Sequence, residues 1–258
     1  MALKPALNAA ALAIALLTSF CGATQAAPKV LIIATSELPP YVSASDQDSF
    51  LSELLPKVAK EMGVKFEFRF MPWPRCERAV EDLQVWATMP YVPTPEREQK
   101  FLFSEPLYAK QTLLFYYSPT DQGYPRTFTT LEELKRFKIG GVRGYYYEAL
   151  FNEAGLNLEL TTSEDSSFKK LRAGRVDLVP AVDSVGWDVI RKNFPAEERA
   201  AFHALEKPLA VGHNYLMTSR SYPQTQQLLE RFNHALGKLR RNGVYRQVAE
   251  RHGIAVEN

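Results

Sequence analysis

Cysteine is nearly absent from this 258-residue chain, which has only Cys21 and Cys76. Cys21 lies in the N-terminal leader described below. Once that leader is removed no intramolecular disulfide can form, and stability must come from packing. Histidine is scarce as well: His203, His213, His234 and His252 are scattered without ligand spacing, so the sequence predicts no metal site. Also missing are a Gly-rich phosphate loop, a nucleophile elbow and a paired-carboxylate signature, and neither a cofactor nor an enzymatic activity is predicted. Neither sign of charge dominates. The formal net charge of +2 argues against a nucleic-acid partner. No later segment matches the apolar run from Ala9 to Leu17, and that run is itself too short to span a membrane.

What is present begins with that run. Lys4 precedes it and the small residues Gly22-Ala23-Thr24-Gln25-Ala26 follow, the pattern of a secretory signal peptide with cleavage after Ala26. A lipidated Cys21 is the competing reading, but Phe20 stands where a lipoprotein signal needs a small residue. The remaining chain is long enough for two modest domains.

Periodicity then organises the chain. Val30 to Ala34 reads as a strand, and Leu51, Leu54, Leu55, Val58, Ala59 and Met62 form the apolar stripe of a helix closed by Gly63. Val64 to Phe70 alternates with period two, so strand, helix and strand predict a parallel pair with a right-handed crossover. Pro56 interrupts the helical stretch and predicts a kink or a cost of about 3 kcal/mol. A short helix from Arg75 to Leu83 and a buried strand from Val85 to Met89 lead to a turn at Arg97. A second series follows: a strand from Thr112 to Tyr117, a helix opened by Thr130 with Glu133 as capping box, and a strand from Lys138 to Val142. Next come a helix from about Tyr145 to Gly155, a strand from Leu156 to Leu160, a helix from Ser166 to Ala173, a strand from Val176 to Ala181 and a helix from Ser184 to Asn193. Leu228, Leu229, Phe232, Leu236 and Leu239 mark a long helix, and Val244 to His252 a last short one. Two α/β series closed by C-terminal helices predict two lobes with a cleft between them.

The segment Thr94-Pro95-Glu96-Arg97, followed by Phe101 to Pro106, is built to present one guanidinium beside a turn-forming proline to an incoming carboxylate. The competing reading of Arg97 is a solvated surface charge. From Lys29 to about Gly253 the chain resembles the extracellular solute-binding proteins of family 3, the periplasmic amino-acid-binding components of ABC importers. The resemblance rests on Pro39-Pro40-Tyr41, Gly63-Val64, Pro72-Trp73, Thr94-Pro95-Glu96-Arg97 with Phe103-Ser104-Glu105-Pro106-Leu107-Tyr108, Leu131-Glu132-Glu133-Leu134, Gly141-Val142-Arg143-Gly144, Leu171 to Asp177, and the helix from Leu236 to Gly243, taken in order.

The resemblance implies a type II periplasmic-binding-protein fold, α/β in two lobes. Each lobe is a mainly parallel sheet flanked by helices, and the chain crosses twice at a hinge. Residues 27–110 plus 217–258 would form lobe 1 and residues 111–216 lobe 2, in a periplasmic monomer. It also implies that Arg97 takes the ligand's α-carboxylate and that Trp73 lies against its side chain. The helix N-terminus after Gly144 takes the carboxylate's other side, and Asp183 the α-ammonium. Anion binding at a helix N-terminus has an independent physical basis in its free N–H groups.

The chain departs from the family where small hydroxyl residues normally precede the arginine, since Pro90, Tyr91, Val92 and Pro93 stand there. Tyr145, Tyr146 and Tyr147 replace the small residues after Gly144, and Asp183 lies one residue further from Asp177 than usual. Helical spacing cannot place all three tyrosines on one face, so at least one is buried or solvated. Trp73 is either a cleft residue or core, Tyr41 either a cleft aromatic or a lid over the first strand, and Asp183 either a ligand contact or a cap before Ser184. Arg75 and Glu77 read as a solvated pair, and Cys76 as a small buried hydrophobe.

The expected function is capture of a small carboxylate-bearing solute, an amino acid or a derivative, for delivery to the permease of an ABC importer. The alternatives are a sensory binding protein that signals to a membrane receptor, and a dehydratase of the cyclohexadienyl or arogenate type on the same fold. For the dehydratase, Glu164, Asp165 or Asp183 would supply the general acid.

Overall fold

The computed structural model describes residues 29–44 and 49–256. The signal peptide expected over residues 1–26 lies outside them. Strands β1 (Lys29–Thr35) and β2 (Val64–Phe70) pair in parallel from Lys29 opposite Val64 to Thr35 opposite Phe70, with α1 (Phe50–Met62) as the crossover. The helix buries Leu51, Leu54, Leu55, Val58, Ala59 and Met62 and ends at Gly63, whose positive φ of 63° needs no Cβ-bearing residue. Pro56 lies inside α1 on its exposed side. The carbonyl of Ser52, which loses its intrahelical partner there, can be hydrated, and so the helix continues.

Helix α2 (Trp73–Glu81) starts two residues earlier than Arg75. Pro74 sits in its first turn, where backbone N–H groups have no intrahelical acceptor to lose. Strand β3 (Ala87–Tyr91) joins the free edge of β1 in parallel. Helix α3 (Pro95–Lys100) follows, so Arg97 sits in a short helix and not in an open turn; the Thr94 side chain caps it by accepting from the Arg97 N–H. Strands β4 (Phe101–Phe103) and β5 (Tyr108–Tyr117) come next.

The capping box at Thr130 opens only a 3-10 turn over Leu131–Leu134, with Glu133 accepting the Thr130 N–H at 3.1 Å. Strand β6 (Lys138–Val142), helix α4 (Tyr147–Glu153) and strand β7 (Asn157–Thr161) form a second parallel unit. Then follow α5 (Glu164–Arg172), β8 (Val179–Val182), α6 (Asp183–Asn193), α7 (Ala196–Arg199), β9 (Phe202–Ala204), β10 (Ala210–Ser219), α8 (Thr225–Arg241) and α9 (Val244–Arg251).

The main sheet runs β2-β1-β3-β10-β5-β8. Its two long strands tie the molecule together. Residues 108–112 of β5 pair antiparallel with residues 210–214 of β10; further along, β5 carries β8 and β9, while β10 carries β3 and β4. The β2-β1-β3 and β6-β7 pairings are parallel as expected, whereas the pairings of β5 and β10 are antiparallel and make the sheet mixed. One buried cluster is built around residues such as Phe50, Trp86 and Phe232, and a second around Leu114, Phe137, Tyr147 and Phe151.

Candidate functional site

A narrow cleft with about 40 Å³ of free space opens where the end of β3, the strands β5 and β10 and the loop after β6 meet. Pro90 shapes its rim. Proline has no N–H to give the ladder, and the β3–β10 register shifts between Tyr215 and Met217 at that level. Leu216 instead donates its N–H to Ser104 Oγ at 3.0 Å and accepts the Ser104 N–H at 2.9 Å. The freed backbone carries Pro90, Tyr91 and Val92 along the cleft.

Arg97 lines the cleft and is only 8% exposed. Its Nε and Nη2 both donate to Glu77 Oε2, at 3.1 and 2.9 Å; Nη1 donates to the Val92 carbonyl at 3.2 Å and Nη2 to the Gly144 carbonyl at 2.9 Å. The guanidinium also lies 4.8 Å from the Tyr91 ring centroid. Four of its five N–H groups are therefore engaged within the protein, leaving one on Nη1. Glu77 pairs with Arg97, twenty residues on, and not with Arg75.

Trp73 is buried and meets the Tyr91 and Tyr145 rings edge to face at 5.7 and 6.1 Å. Val92, Gly144, Tyr145 and Tyr146 line the same cleft. Gly144 has φ 82°, and a Cβ there would lie 3.1 Å from the Pro74 ring, so the close approach of the two loops requires glycine. Its N–H is already taken by the Glu148 carboxylate at 2.7 Å, and α4 itself begins at Tyr147. The three tyrosines separate, although only Tyr147 belongs to the helix and Tyr145 and Tyr146 lie in the turn before it. Tyr147 is fully buried and its hydroxyl accepts the Val142 N–H, while Tyr145 and Tyr146 are partly exposed. The Tyr145 hydroxyl donates to Glu164, and the Tyr146 hydroxyl to Thr112 Oγ1 at 2.9 Å.

Tyr41 and Asp183 are not among the lining residues. Tyr41 is buried, stacked on Tyr108 at 4.0 Å, with its hydroxyl accepting from Ser184. Asp183 opens α6 and accepts from the exposed Gln111 amide at 3.2 Å. Cys76 is fully buried, and its thiol, pushed up to about 12 by burial, donates to the Met71 carbonyl. It is an inert core residue.

Two chemically active lining residues escaped the sequence reading. Lys110 on β5 is 7% exposed; its Nζ donates to Thr112 Oγ1 at 3.1 Å and lies 4.1 Å from the Tyr146 ring centroid. Burial disfavours its charge and lowers its pKa to about 8. Asn214 on β10 donates its amide N–H to the Tyr108 hydroxyl at 2.7 Å. Glu164, raised to about 7 by burial, sits behind Tyr145 and faces a separate depression that Asp165 and Asp188 also line.

Two α/β lobes joined by a pair of crossing strands, with a cleft beside them, define a type II periplasmic-binding-protein fold. The chain belongs to the bacterial extracellular solute-binding proteins, family 3, whose model matches residues 31–254. It is 22% identical over 221 residues to the L-cystine-binding protein TcyJ of Escherichia coli strain K12, covering 83% of this chain and 78% of that protein. It is 28% identical over 165 residues to the lysine/arginine/ornithine-binding periplasmic protein of the same strain, covering 62% of this chain and 60% of that protein. Among solved structures, a histidine kinase sensor domain similar to periplasmic binding proteins matches with a TM-score of 0.78 at 21% identity, covering 89% of this chain and 99% of the domain.

Proposed function

We propose that this protein works in the periplasm, capturing a small carboxylate-bearing solute, an amino acid or a derivative of one, and handing it to the permease of an ABC importer. Residues 27–110 with 217–258 act as one lobe and 111–216 as the other, and they close on the ligand by bending at β5 and β10. The observation that carries this reading is the Arg97 guanidinium. It is buried in the cleft wall, reaches across to the Gly144 carbonyl, and keeps one N–H uncommitted beside an aromatic surface. Trp73, Val92, Gly144, Tyr145 and Tyr146 supply the walls, while Tyr41 and Asp183 lie outside the lining. The names of the two Escherichia coli relatives, one binding cystine and the other basic amino acids, support an amino-acid-like ligand.

A binding role is favoured over a dehydratase because no carboxyl group lines the cleft among the described residues, so none of the carboxyls considered as the general acid, Glu164, Asp165 or Asp183, stands in the lining. A thermal-shift screen across amino acids, N-blocked amino acids and aromatic carboxylates tests the reading. A ligand at a hundred times its dissociation constant adds about 2.7 kcal/mol of stability. A screen in which no carboxylate raises the melting temperature overturns it, as does turnover of prephenate or arogenate. Pull-down from membranes separates a permease partner from a receptor.

A further inference from the structure

The cleft lining holds two basic side chains, Arg97 and Lys110, and only one of them is paired with a carboxylate. Arg97 is neutralised where it stands by Glu77, which takes two of its N–H groups. Lys110 has no such partner. Among the described residues no carboxylate oxygen lies within ion-pair distance of its Nζ, whose contacts are a neutral hydroxyl and the face of Tyr146. A buried lysine without a counter-ion is a cost that an apolar replacement would avoid.

The hydrogen-bond inventory leans the same way. Thr112 Oγ1 accepts from both Lys110 and Tyr146, so its own O–H is left to donate. Asn214 spends one of its two N–H groups on Tyr108, and its amide oxygen is a neutral side-chain acceptor. With the last N–H of Arg97, the lining is rich in donors and cationic, and its acidic side chains number none among the described residues. Asp183, the nearby carboxylate on α6, is held by Gln111 on the exposed side.

From this arrangement we infer that Lys110 is the ligand's counter-ion and that the cleft selects carboxylates with an apolar or aromatic body and no free ammonium group, such as N-acylated amino acids or 2-oxo acids. An α-ammonium would enter a lining that offers no carboxylate and already holds a lysine cation, a like-charge contact in a desolvated space. A single carboxylate instead relieves the unpaired charge and accepts from Lys110, Thr112 and Arg97. Trp73, Tyr145 and Tyr146 form the matching walls for an apolar body. This inference rests on the carboxylate-binding reading and narrows it.

Calorimetric titration of the mature protein with two matched series separates the possibilities. The series are L-phenylalanine, N-acetyl-L-phenylalanine and phenylpyruvate, and L-leucine, N-acetyl-L-leucine and 4-methyl-2-oxopentanoate. The expected result is that the acetylated or oxo member binds at least about tenfold more tightly than the parent amino acid, and that Lys110→Met removes this preference. Lys110→Arg, which keeps the charge, should retain it and controls for a purely steric effect. Equal or tighter binding of the free amino acids overturns the inference and leaves the carboxylate reading intact, as does a preference that survives in a folded Lys110→Met variant. If none of the six binds, the inference fails, and the broader thermal-shift screen decides the carboxylate reading.

Discussion

The carboxylate of Glu77 accepts two N–H groups of Arg97 on one oxygen, Oε2, at 3.1 and 2.9 Å. The residue best placed to anchor an anion therefore already holds one. Glu77 restrains Arg97 in two ways: it fixes the orientation of the guanidinium, and it competes with any incoming carboxylate for the same donors.

Removing that competitor should have opposite effects on folding and on binding. Glu77→Ala leaves a nearly buried guanidinium with only carbonyl partners, and because Glu77 is itself partly solvated the loss of folding stability is about 2 kcal/mol. Ligand affinity should rise in the same variant, since two N–H groups are released. Urea denaturation measures the first effect and calorimetry the second. A variant that loses affinity along with stability would show that Glu77 organises the site and does not compete with the ligand.

Arg97 itself is expected to be harder to replace. Arg97→Ala removes the link to Gly144 across the cleft as well as the ligand donor, and should cost about 3 to 5 kcal/mol in carboxylate binding. Calorimetry on the folded variant checks this, and an unchanged affinity removes Arg97 from the site.

The fold was largely legible because its units are local: the stripe of α1, the alternation of β2 and the Gly63 stop are each written within a few residues. Strand β10 was not read. His213 and Asn214 break its apolar pattern because that half of the strand crosses beside the cleft, and only Leu216 to Ser219 are uniformly buried. Arg97 came from turn chemistry, and the places of Trp73 and the Gly144 loop from the family resemblance. Glu77 lies twenty residues before its partner, and nothing local distinguishes Lys110 from a solvated lysine. Both acquire their roles only when β5, α2 and α3 come together. Asp183 was placed by resemblance and Tyr41 by its loop position, and packing turned Tyr41 onto Tyr108 and Asp183 towards Gln111.

Close packing in the second lobe gives a prediction independent of the ligand. A Cβ on Gly186 of α6 would fall 2.4 Å from Cζ and 2.5 Å from Cε2 of Phe115, a fully buried ring on β5. Alanine gains up to about 1 kcal/mol over glycine from helix propensity, but overpacking a closed core costs about 1 to 3 kcal/mol. Because Phe115 is also wedged against Phe168 and Trp187, its ring has little room to turn, so the steric term prevails. Gly186→Ala should lower stability by about 1 to 2 kcal/mol in chemical denaturation, and equal or higher stability would mean that α6 can lift from β5.

Lys110 should leave a mark on the pH dependence of the ligand-free protein. Its pKa falls from 10.5 to about 8 on folding because burial penalises the ammonium. Between those values the unfolded chain binds the proton more strongly than the native state, so this group makes stability rise with pH. Below about pH 8 the native protein carries the full penalty, up to roughly 3 kcal/mol. Lys110→Met should accordingly be more stable than the parent at neutral pH, and the gap should close towards about pH 10. Denaturation curves across that range check it; a gap independent of pH would mean that the ammonium is solvated.

Glu164 acts in the opposite sense. Burial raises its carboxyl from 4.5 to about 7, with the neighbouring Asp165 charge adding to the shift, while the Tyr145 hydroxyl donates to its Oε1. As pH rises from about 4.5 to about 7 the unfolded chain releases this proton and the native state keeps it, so stability falls by up to roughly 3 kcal/mol over that window. Glu164→Gln keeps an oxygen for Tyr145 and cannot ionise. In urea titrations it should be nearly as stable as the parent at about pH 4.5 and clearly more stable above about pH 7. Tyr145 is also a wall of the cleft, so ionisation of Glu164 should tighten the hold on its hydroxyl without placing a charge in the ligand space. Parallel pH profiles of the variant and its parent would mean that Glu164 ionises freely in the native protein and that Tyr145 is not restrained by a protonated carboxyl.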